Sequence, residues 1–288
     1  DADEAEDVAT LERFDVKASL GNGSYGRVYL VFDHETKRNL AMKVIRKRDI
    51  LHRNAHAHLA DELTISQLKI DCSFVNNAAL VFEGPKHHFL VTELLEGGEL
   101  YYLIREKGTL TEPETRFYAA ELLVAIDSLH KHGVLYRDLK PENILLHADG
   151  HVGLVDFGLS RPNFYITDTT KTLCGTAEYV APEMLVGDPY GFPIDAWGLG
   201  CVIFEMLTGS PPFYDTRQSV MNENIVFNSP RYPSSLSPCV VGLIDGLLNK
   251  MQSRRMTVEA AMRHPWFTGV DWQAVRKRAM PPPYMPES

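Results

Sequence analysis

The chain has 288 residues, 44% of them hydrophobic, which is enough to bury one large core or two smaller ones with a cleft between them. Its 29 Lys and Arg and 38 Asp and Glu give a net charge of −9, which argues against generic nucleic-acid binding and favours basic partners. Four cysteines without a CxxC pair predict reduced thiols in an intracellular protein, with no disulfides. The acidic first residues and the lack of a long apolar run predict neither export nor a membrane span.

Short β-rich runs dominate the first ninety or so residues of the chain. They cover residues 14–20, 26–32, 39–45 and 87–93, and glycines or charged turns separate them. One helix is expected over residues 55–69. This order predicts a small sheet with a single accompanying helix.

The periodicity becomes helical after residues 97–98. Thr111 and Glu114 form a capping box that begins one helix, and Gly133 follows its apolar stripe. A second apolar helix is expected over residues 195–208. From residue 269 the chain becomes rich in proline, which predicts an extended tail. We therefore expect a larger, mainly helical unit that ends in this tail.

Residues 21–28 form a glycine-rich loop, Gly-Asn-Gly-Ser-Tyr-Gly-Arg-Val, between two predicted strands. Glycine lets the backbone approach phosphate oxygens closely and adopt angles barred to other residues. A GxGxxG loop can also open a dinucleotide-binding βαβ unit, but a strand rather than a helix is expected to follow this one. The loop therefore favours phosphate binding, although this motif alone is weak.

Lys43 lies inside the apolar run of residues 40–45. An unpaired ammonium there would be costly, so Lys43 needs anionic partners. Nucleotide phosphates and a glutamate would supply them. Glu62, on the predicted helix, is the candidate glutamate, and the alternative is that it is an ordinary solvated helix charge.

Two acidic motifs indicate the chemistry most strongly. Asp138 lies in Tyr-Arg-Asp-Leu-Lys-Pro-Glu-Asn at residues 136–143, and Asp156 begins Asp-Phe-Gly at residues 156–158. Phosphoryl transfer needs one carboxylate near the attacking hydroxyl and another that holds the metal. Asn143 can place an amide oxygen on a second Mg²⁺, and Lys140 can reach the transferring phosphate. The motifs together predict phosphoryl transfer that depends on ATP and Mg²⁺.

These residues resemble the eukaryotic protein kinase family over about residues 14–268. Within it the chain is similar to AGC-type serine/threonine kinases, through Tyr136 before Arg-Asp, residues 172–179 ahead of Ala-Pro-Glu, and residues 270–284. The resemblance implies an α+β, bilobal protein kinase fold, with a small, mainly antiparallel β lobe carrying one regulatory helix and a larger, mainly α-helical lobe. The implied domains are an acidic N-terminal extension (1–13), the small lobe (14–93), the hinge and large lobe (94–268) and the start of an AGC-type tail (269–288).

The resemblance also implies roles for individual residues. Lys43 would bind the α and β phosphates and pair with Glu62, while Asn143 and Asp156 would hold Mg²⁺. Thr176 would support Asp138 and Lys140. Asp195 and a Glu183–Arg255 pair would be structural. The implied nucleotide pocket, with Thr92 as gatekeeper and the Glu93 and Leu95 backbones as its hinge, further includes Leu20, Gly21, Asn22, Gly23, Ser24, Tyr25, Gly26, Val28, Ala41, Glu99, Leu145 and Val155.

Thr172 matches the family's phosphorylated threonine. His58, Arg137 and Arg161 map around it. A phosphate carrying about −1.5 to −2 charges would draw these basic groups together and order the site. The alternative is that the threonines at residues 169–172 are simple polar loop residues.

The resemblance implies protein substrates and an upstream activating kinase. Glu99, Glu142 and Glu205 match acidic positions that bind arginines upstream of the target Ser or Thr in basic-directed relatives. We expect a monomeric signalling kinase in the cytoplasm or nucleus, without nucleic-acid partners. The alternatives are a nucleotide-binding pseudokinase scaffold and, less favoured, a kinase of small molecules.

Overall fold

The computed structural model describes residues 11–23, 25–49 and 56–286. The chain divides into two compact units. The first contains the described residues up to 70, together with residues 76–95 and 156–162, and the second contains residues 71–75, 96–155 and those from 163 onward. None of the helices in the described ranges combines the length and apolar composition that a membrane span requires. Free thiols are found at Cys72, Cys174, Cys201 and Cys239.

A five-stranded antiparallel sheet forms most of the first unit. Its strands are β1 (Phe14–Asn22), β2 (Arg27–Asp33), β3 (Arg38–Arg46), β4 (Ala78–Glu83) and β5 (His87–Glu93), in the order β1-β2-β3-β5-β4. Four of these strands correspond to predicted runs. The sequence reading did not assign β4, which opens with two alanines, a residue type depleted in strands; its pairing with β5 stabilises it. The core of the sheet is formed by Phe14, Val31, Met42, Phe89 and Val91.

Helix α1 (His56–Gln67) of this unit lies within the predicted range. Its buried side chains are Leu59, Glu62 and Ile65, which recur every three residues and therefore share one face. Leu59 packs in a cluster with Ile45 of β3 and Leu90 of β5. This packing turns Glu62 toward the sheet rather than toward solvent.

The second unit is mainly helical. Its helices are α2 (Leu100–Lys107), α3 (Glu112–Lys131), α4 (Pro182–Val186), α5 (Pro193–Thr208), α6 (Gln218–Phe227), α7 (Pro238–Leu247), α8 (Val258–Met262) and α9 (Trp272–Arg276). The predicted capping box begins α3, because Thr111 Oγ1 accepts from the Glu114 N–H and Glu114 Oε2 accepts from the Thr111 N–H. Helices α3 and α5 are extensively buried and form the centre of this unit.

A two-stranded hairpin joins the two acidic motifs. Its strands, β6 (Ile144–Leu146) and β7 (Val152–Leu154), pair with Ile144 opposite Leu154. At the open end of the hairpin, the Val155 N–H donates to the Asn143 carbonyl at 3.0 Å. The end of one motif and the residue preceding the other are therefore held together by backbone bonds.

The tail differs from the prediction at its start. Residues 272–276 form helix α9 instead of extended chain, because Asp271 Oδ1 accepts from the N–H groups of Gln273 and Ala274 at 2.9 and 3.1 Å and so caps the helix. The extended prediction was wrong for these residues, since the first proline comes only at 281. Beyond the helix, Arg278 Nη2 donates to both carboxylate oxygens of Asp149 at 2.6 Å, which fixes the tail on the β6–β7 turn.

Candidate active site

A buried ion cluster lies in the first unit. Lys43 Nζ, on β3, donates to Glu62 Oε1 of α1 at 2.5 Å and to Asp156 Oδ1 at 2.9 Å. Burial lowers the pKa of Lys43, but the two carboxylates outweigh that cost and raise the pKa above its ordinary value. Lys43 therefore has the anionic partners that its apolar strand requires, and it stays charged.

The charges of this cluster fit a nucleotide bound with Mg²⁺. One ammonium faces two carboxylates. Burial raises the pKa of Glu62 against the opposing influence of Lys43, and the charge of Asp156 adds to that rise. Carboxylate oxygen is the ligand type that Mg²⁺ prefers, so the oxygen-rich side of the cluster suits the metal and the ammonium suits phosphate.

The glycine-rich loop lies directly against Lys43. A Cβ on Gly23 would be 3.1 Å from Lys43 Cε and 3.7 Å from Asp156 Oδ2. A Cβ on Gly26 would be only 2.4 Å from the Val44 carbonyl oxygen, so this position needs glycine. The Gly23 N–H donates to the Gly26 carbonyl at 2.8 Å and closes the loop. The cradle beside Lys43 therefore has room for phosphate because Gly23 has no side chain.

The remaining predicted nucleotide positions of the first unit lie on or next to its strands. Tyr25, at the loop, stacks on His58 of α1 with ring centroids 5.6 Å apart. Ser24 lies outside the described residues. The others occupy β1 to β3, the last residues of β5 and the segment that follows β5, namely Leu20, Gly21, Asn22, Val28, Ala41, Thr92, Glu93 and Leu95.

In the second unit, Asp138 lies at the centre of a hydrogen-bonded set. Its Oδ1 accepts from Thr176 Oγ1 at 3.0 Å, and its Oδ2 lies 3.0 Å from Lys140 Nζ. Lys140 Nζ also donates to Thr176 Oγ1 at 2.6 Å. Asn143 Nδ2 donates to the carbonyl and to Oδ2 of Asp138 at 2.8 and 2.9 Å. The structure thus brings four predicted catalytic residues together, and the amide oxygen of Asn143 is left for another ligand.

Asp195 of α5 fixes the backbone that carries Asp138. Its two carboxylate oxygens accept from the N–H groups of Tyr136 and Arg137 at 3.0 and 2.9 Å. Arg137 has a positive φ of 71°, an unfavourable conformation for this side chain that Asp195 helps to hold. The sequence analysis missed His130, whose Nε2 lies 2.8 Å from Asp195 Oδ2. No local motif indicated this contact, because the two residues lie on different helices.

The predicted Glu183–Arg255 pair is also formed in the second unit. The two guanidinium Nη atoms donate to the two carboxylate oxygens at 2.6 and 2.8 Å, and both residues are buried. Arg255 also donates to the carbonyl oxygens of Asn249 and Pro193. A bidentate pair with these further bonds anchors the segment that begins α4.

Thr172 is exposed and lies in the segment between Asp-Phe-Gly and Ala-Pro-Glu. Its carbonyl oxygen accepts from the Tyr190 hydroxyl, and neighbouring Thr170 exchanges two backbone bonds of 2.9 Å with Tyr190. Burial raises the pKa of Tyr190 to about 12, while Arg137 lies close enough to oppose the rise. Tyr190 therefore brings Thr172 and Arg137 to the same neighbourhood. The two other predicted phosphate partners, His58 and Arg161, belong to the first unit.

The three predicted substrate-binding carboxylates influence one another in the second unit. Burial raises the pKa of Glu99, and the nearby charge of Glu142 raises it further. Burial also raises the pKa of Glu205; the Tyr179 hydroxyl, which donates to Glu205 Oε2, opposes this rise, and Glu142 adds to it. Glu142 Oε2 is buried without a hydrogen-bond partner among the described residues. Such a cluster suits a guanidinium, which would relieve the repulsion.

Comparison with known proteins gives one matching family model, the protein kinase domain, over residues 14–267. The chain is 39% identical over 280 residues to serine/threonine-protein kinase YPK2/YKR2 of Saccharomyces cerevisiae, covering 96% of this chain and 41% of that protein. It is 40% identical to serine/threonine-protein kinase sck2 of Schizosaccharomyces pombe, with 93% and 43% covered. Protein kinase 2 of Dictyostelium discoideum is 38% identical, with 97% and 58% covered. The chain spans about half the length of these curated relatives.

These matches confirm the fold class and the enzyme class predicted from the motifs. An antiparallel β-sheet unit and a helical unit are the two parts of the bilobal kinase fold. ATP and Mg²⁺ are used generally across the family. The chain belongs to the protein kinase domain family, as a catalytic domain of the AGC-type serine/threonine kinases.

Proposed function

We propose that the protein containing this chain is an active serine/threonine kinase that transfers the γ-phosphate of ATP to Ser and Thr hydroxyls of protein substrates. The observation that carries the proposal is the cluster in which Lys43 Nζ bridges Glu62 and Asp156 at 2.5 and 2.9 Å. A scaffold that binds nucleotide or partners without turnover has no chemical need for these three residues together with Asp138 and Asn143. This favours turnover over the pseudokinase alternative. A monomeric state and a cytoplasmic or nuclear location complete the proposal.

Lys43 and the loop around Gly23 hold the nucleotide phosphates in this account. Asp156 would be a ligand of Mg²⁺ in the first unit and the amide oxygen of Asn143 would be one in the second, and Mg²⁺ would neutralise charge that develops on the phosphates. Glu93 and Leu95 offer the hinge backbone: a carbonyl oxygen for the 6-amino group of adenine and an N–H for a ring nitrogen. By the family resemblance, the residues that would contact adenine are Leu20, Val28 and Ala41 in the first unit and Leu145 and Val155 in the second, with Glu99 for the ribose.

Asp138 orients the substrate hydroxyl and accepts its proton as the new oxygen–phosphorus bond forms and the bond from the γ-phosphorus to the β–γ bridging oxygen breaks, with ADP as the leaving group. Lys140, which is held 2.6 Å from Thr176 Oγ1, supplies positive charge for the transferring phosphate. Thr176 in turn donates to Asp138 at 3.0 Å and keeps that carboxylate in one orientation. The catalytic positions are therefore fixed before a substrate arrives.

We also propose that phosphorylation of Thr172 activates the enzyme. Thr172 is exposed, and its carbonyl oxygen accepts from the Tyr190 hydroxyl. Arg137 lies close enough to the same hydroxyl to oppose the rise in its pKa. A phosphate on Thr172 would pair with Arg137, beside the catalytic aspartate. An unphosphorylated Thr172→Ala protein as active as the phosphorylated wild type would refute this.

The acidic cluster of Glu99, Glu142 and Glu205 would bind arginines upstream of the phosphorylated residue. The charge of Glu142 raises the pKa of Glu99 and of Glu205, and Glu142 Oε2 has no hydrogen-bond partner among the described residues, so an incoming guanidinium gains both charge neutralisation and hydrogen bonds. The net charge of −9 also favours basic substrates.

The test is transfer of γ-phosphate from ATP, with Mg²⁺, to a library of arginine-containing serine peptides. The enzyme is phosphorylated on Thr172, and Asp156→Asn is the control. Transfer that is lost in the control establishes the activity and gives the substrate motif. Absence of transfer by phosphorylated wild-type protein that binds ATP would overturn it in favour of the scaffold.

A further inference from the structure

Asn76 makes a contact that the proposed reaction does not use. It lies before β4, and its side-chain Nδ2 donates to the carbonyl oxygen of Glu93 at 3.1 Å. The same oxygen accepts from Thr92 Oγ1 at 3.3 Å. Glu93 ends β5, where it pairs with Leu40 of β3, so the position of its carbonyl group is set by the sheet. Two side chains therefore donate to one backbone acceptor.

This acceptor is the one that the proposed function assigns to the 6-amino group of adenine. A carbonyl oxygen has two lone pairs, and two side-chain donors already lie within hydrogen-bond distance of this one. An incoming 6-amino group must share the oxygen or displace the Asn76 amide. The net value of a hydrogen bond depends on what it replaces, so the 6-amino group gains less than it would from an acceptor that only water occupies.

We propose that Asn76 is a specificity-determining residue of the nucleotide site, one that weakens selection for the 6-amino group of the purine. This inference rests on the proposed function, because it requires a nucleotide at the Glu93 carbonyl. The preference for ATP over a purine nucleotide without a 6-amino group is therefore smaller in the wild-type protein than in a variant with an apolar residue at position 76. Asn76 then tunes which nucleotide binds rather than taking part in transfer.

The opposite effect would follow if the Asn76 carboxamide itself received the 6-amino group. Its oxygen would then add to recognition, and removal of the side chain would lower selectivity for ATP. A purely structural Asn76, which only ties the segment before β4 to β5, would affect all nucleotides equally. When the Asn76 side chain is replaced, the preference for ATP over the analogue should therefore rise in the proposed role, fall in the second role and stay constant in the third.

The experiment measures equilibrium dissociation constants, with Mg²⁺, for ATP and for purine riboside triphosphate, which carries hydrogen at position 6. The ratio of the two constants is compared among the wild-type chain, Asn76→Leu and Asn76→Asp. Leucine removes the polar group at similar size, and aspartate keeps the shape but cannot donate. Thermal unfolding identifies any general loss of structure, to which the ratio is insensitive because both nucleotides share the same protein.

We expect preference for ATP over the analogue to rise about three-fold to ten-fold in both variants, the range that one hydrogen bond supplies. A ratio that stays constant or falls in Asn76→Leu, while both nucleotides bind, overturns this inference and leaves the proposed function intact. Failure of the wild-type chain to bind either nucleotide overturns both.

Discussion

The Tyr136 hydroxyl donates to the carbonyl oxygen of Val155 at 2.5 Å. Tyr136 is fully buried, and its own N–H is held by Asp195. The bond therefore connects the segment that begins at Tyr136 and carries Asp138 to the residue immediately before Asp156. Both bonded residues belong to the second unit. The phenol of Tyr136 supplies this link.

Tyr136→Phe should destabilise the protein by about 1–3 kcal/mol, because it keeps the ring but leaves a buried carbonyl without its donor. Urea unfolding measures the difference. Tyr232→Phe is the matched control, since Tyr232 loses a more exposed bond to Asp245 of 2.7 Å and should cost less. Equal losses in the two variants would contradict the role of the Tyr136 hydroxyl.

Lys43→Met should abolish transfer and also reduce stability at neutral pH, because it leaves two carboxylates uncompensated in a buried site. Part of the lost stability should return as the pH falls below 7. Burial raises the pKa of Glu62 in the folded protein, so protonation favours the folded state, and that gain is lost as the pH rises through the folded pKa. Stability measured from pH 5 to 8 tests this. A variant whose deficit relative to wild type is constant over that range would count against the cluster.

Lys250 should make the stability of the folded protein depend on pH in the alkaline range. Burial lowers its pKa to about 8, although its Nζ donates to the carbonyl of Ile225 at 2.6 Å and lies over the Phe213 ring. The folded protein therefore releases this proton before the unfolded chain does, so the burial penalty is present below about pH 8 and is relieved as the pH rises. The stability of wild type relative to Lys250→Met should increase from pH 7 to 9.5. No change in that difference would show that the ammonium is not desolvated.

Glu183→Gln should cost about 3–5 kcal/mol, because it leaves the Arg255 guanidinium buried without its counter-charge. The Glu259–Arg263 pair has the same 2.6 Å separation but is exposed, so solvent screens it and Glu259→Gln should cost far less than Glu183→Gln. Thermal and urea unfolding of the two variants provide the comparison. Similar costs would mean that burial does not decide the contribution of the Arg255 pair.

Glu99→Lys should lower kcat/KM for arginine-containing peptides by about ten-fold or more, while peptides without arginine lose little, because the new ammonium repels the guanidinium. Glu205→Lys should act in the same direction, with an added loss of stability since Glu205 is buried against Tyr179. An unchanged preference in Glu99→Lys would refute the assignment of the acidic cluster.

Local sequence patterns predicted the parts of this structure that local chemistry determines. The cap of α3 depends on Thr111 and Glu114, three residues apart, and the contact of Asn143 with Asp138 spans five. Some contacts between distant segments were predicted only through the family resemblance, as for Thr176 and Asp138. Others were not predicted, as for His130 and Asp195. Their partners are brought together by helix and sheet packing that no short pattern encodes.

Two departures show how tertiary and local effects override composition. Strand β4 forms because β5 offers a pairing edge, even though alanine disfavours strands. Helix α9 forms because Asp271 caps it before the prolines begin. The Asn76 contact with Glu93 joins residues 17 apart in the sequence, so no local pattern indicated it.

Catalysis of γ-phosphate transfer must be distinguished from nucleotide binding alone. The most direct measurement follows labelled γ-phosphate from ATP to a serine peptide in a single turnover, with ATP binding measured in parallel, for wild type and Asp138→Asn. The account predicts ATP affinities within about three-fold of each other and a transfer rate at least about a hundred-fold lower in the variant. Equal transfer rates in the two proteins, or binding without transfer in phosphorylated wild type, would contradict it.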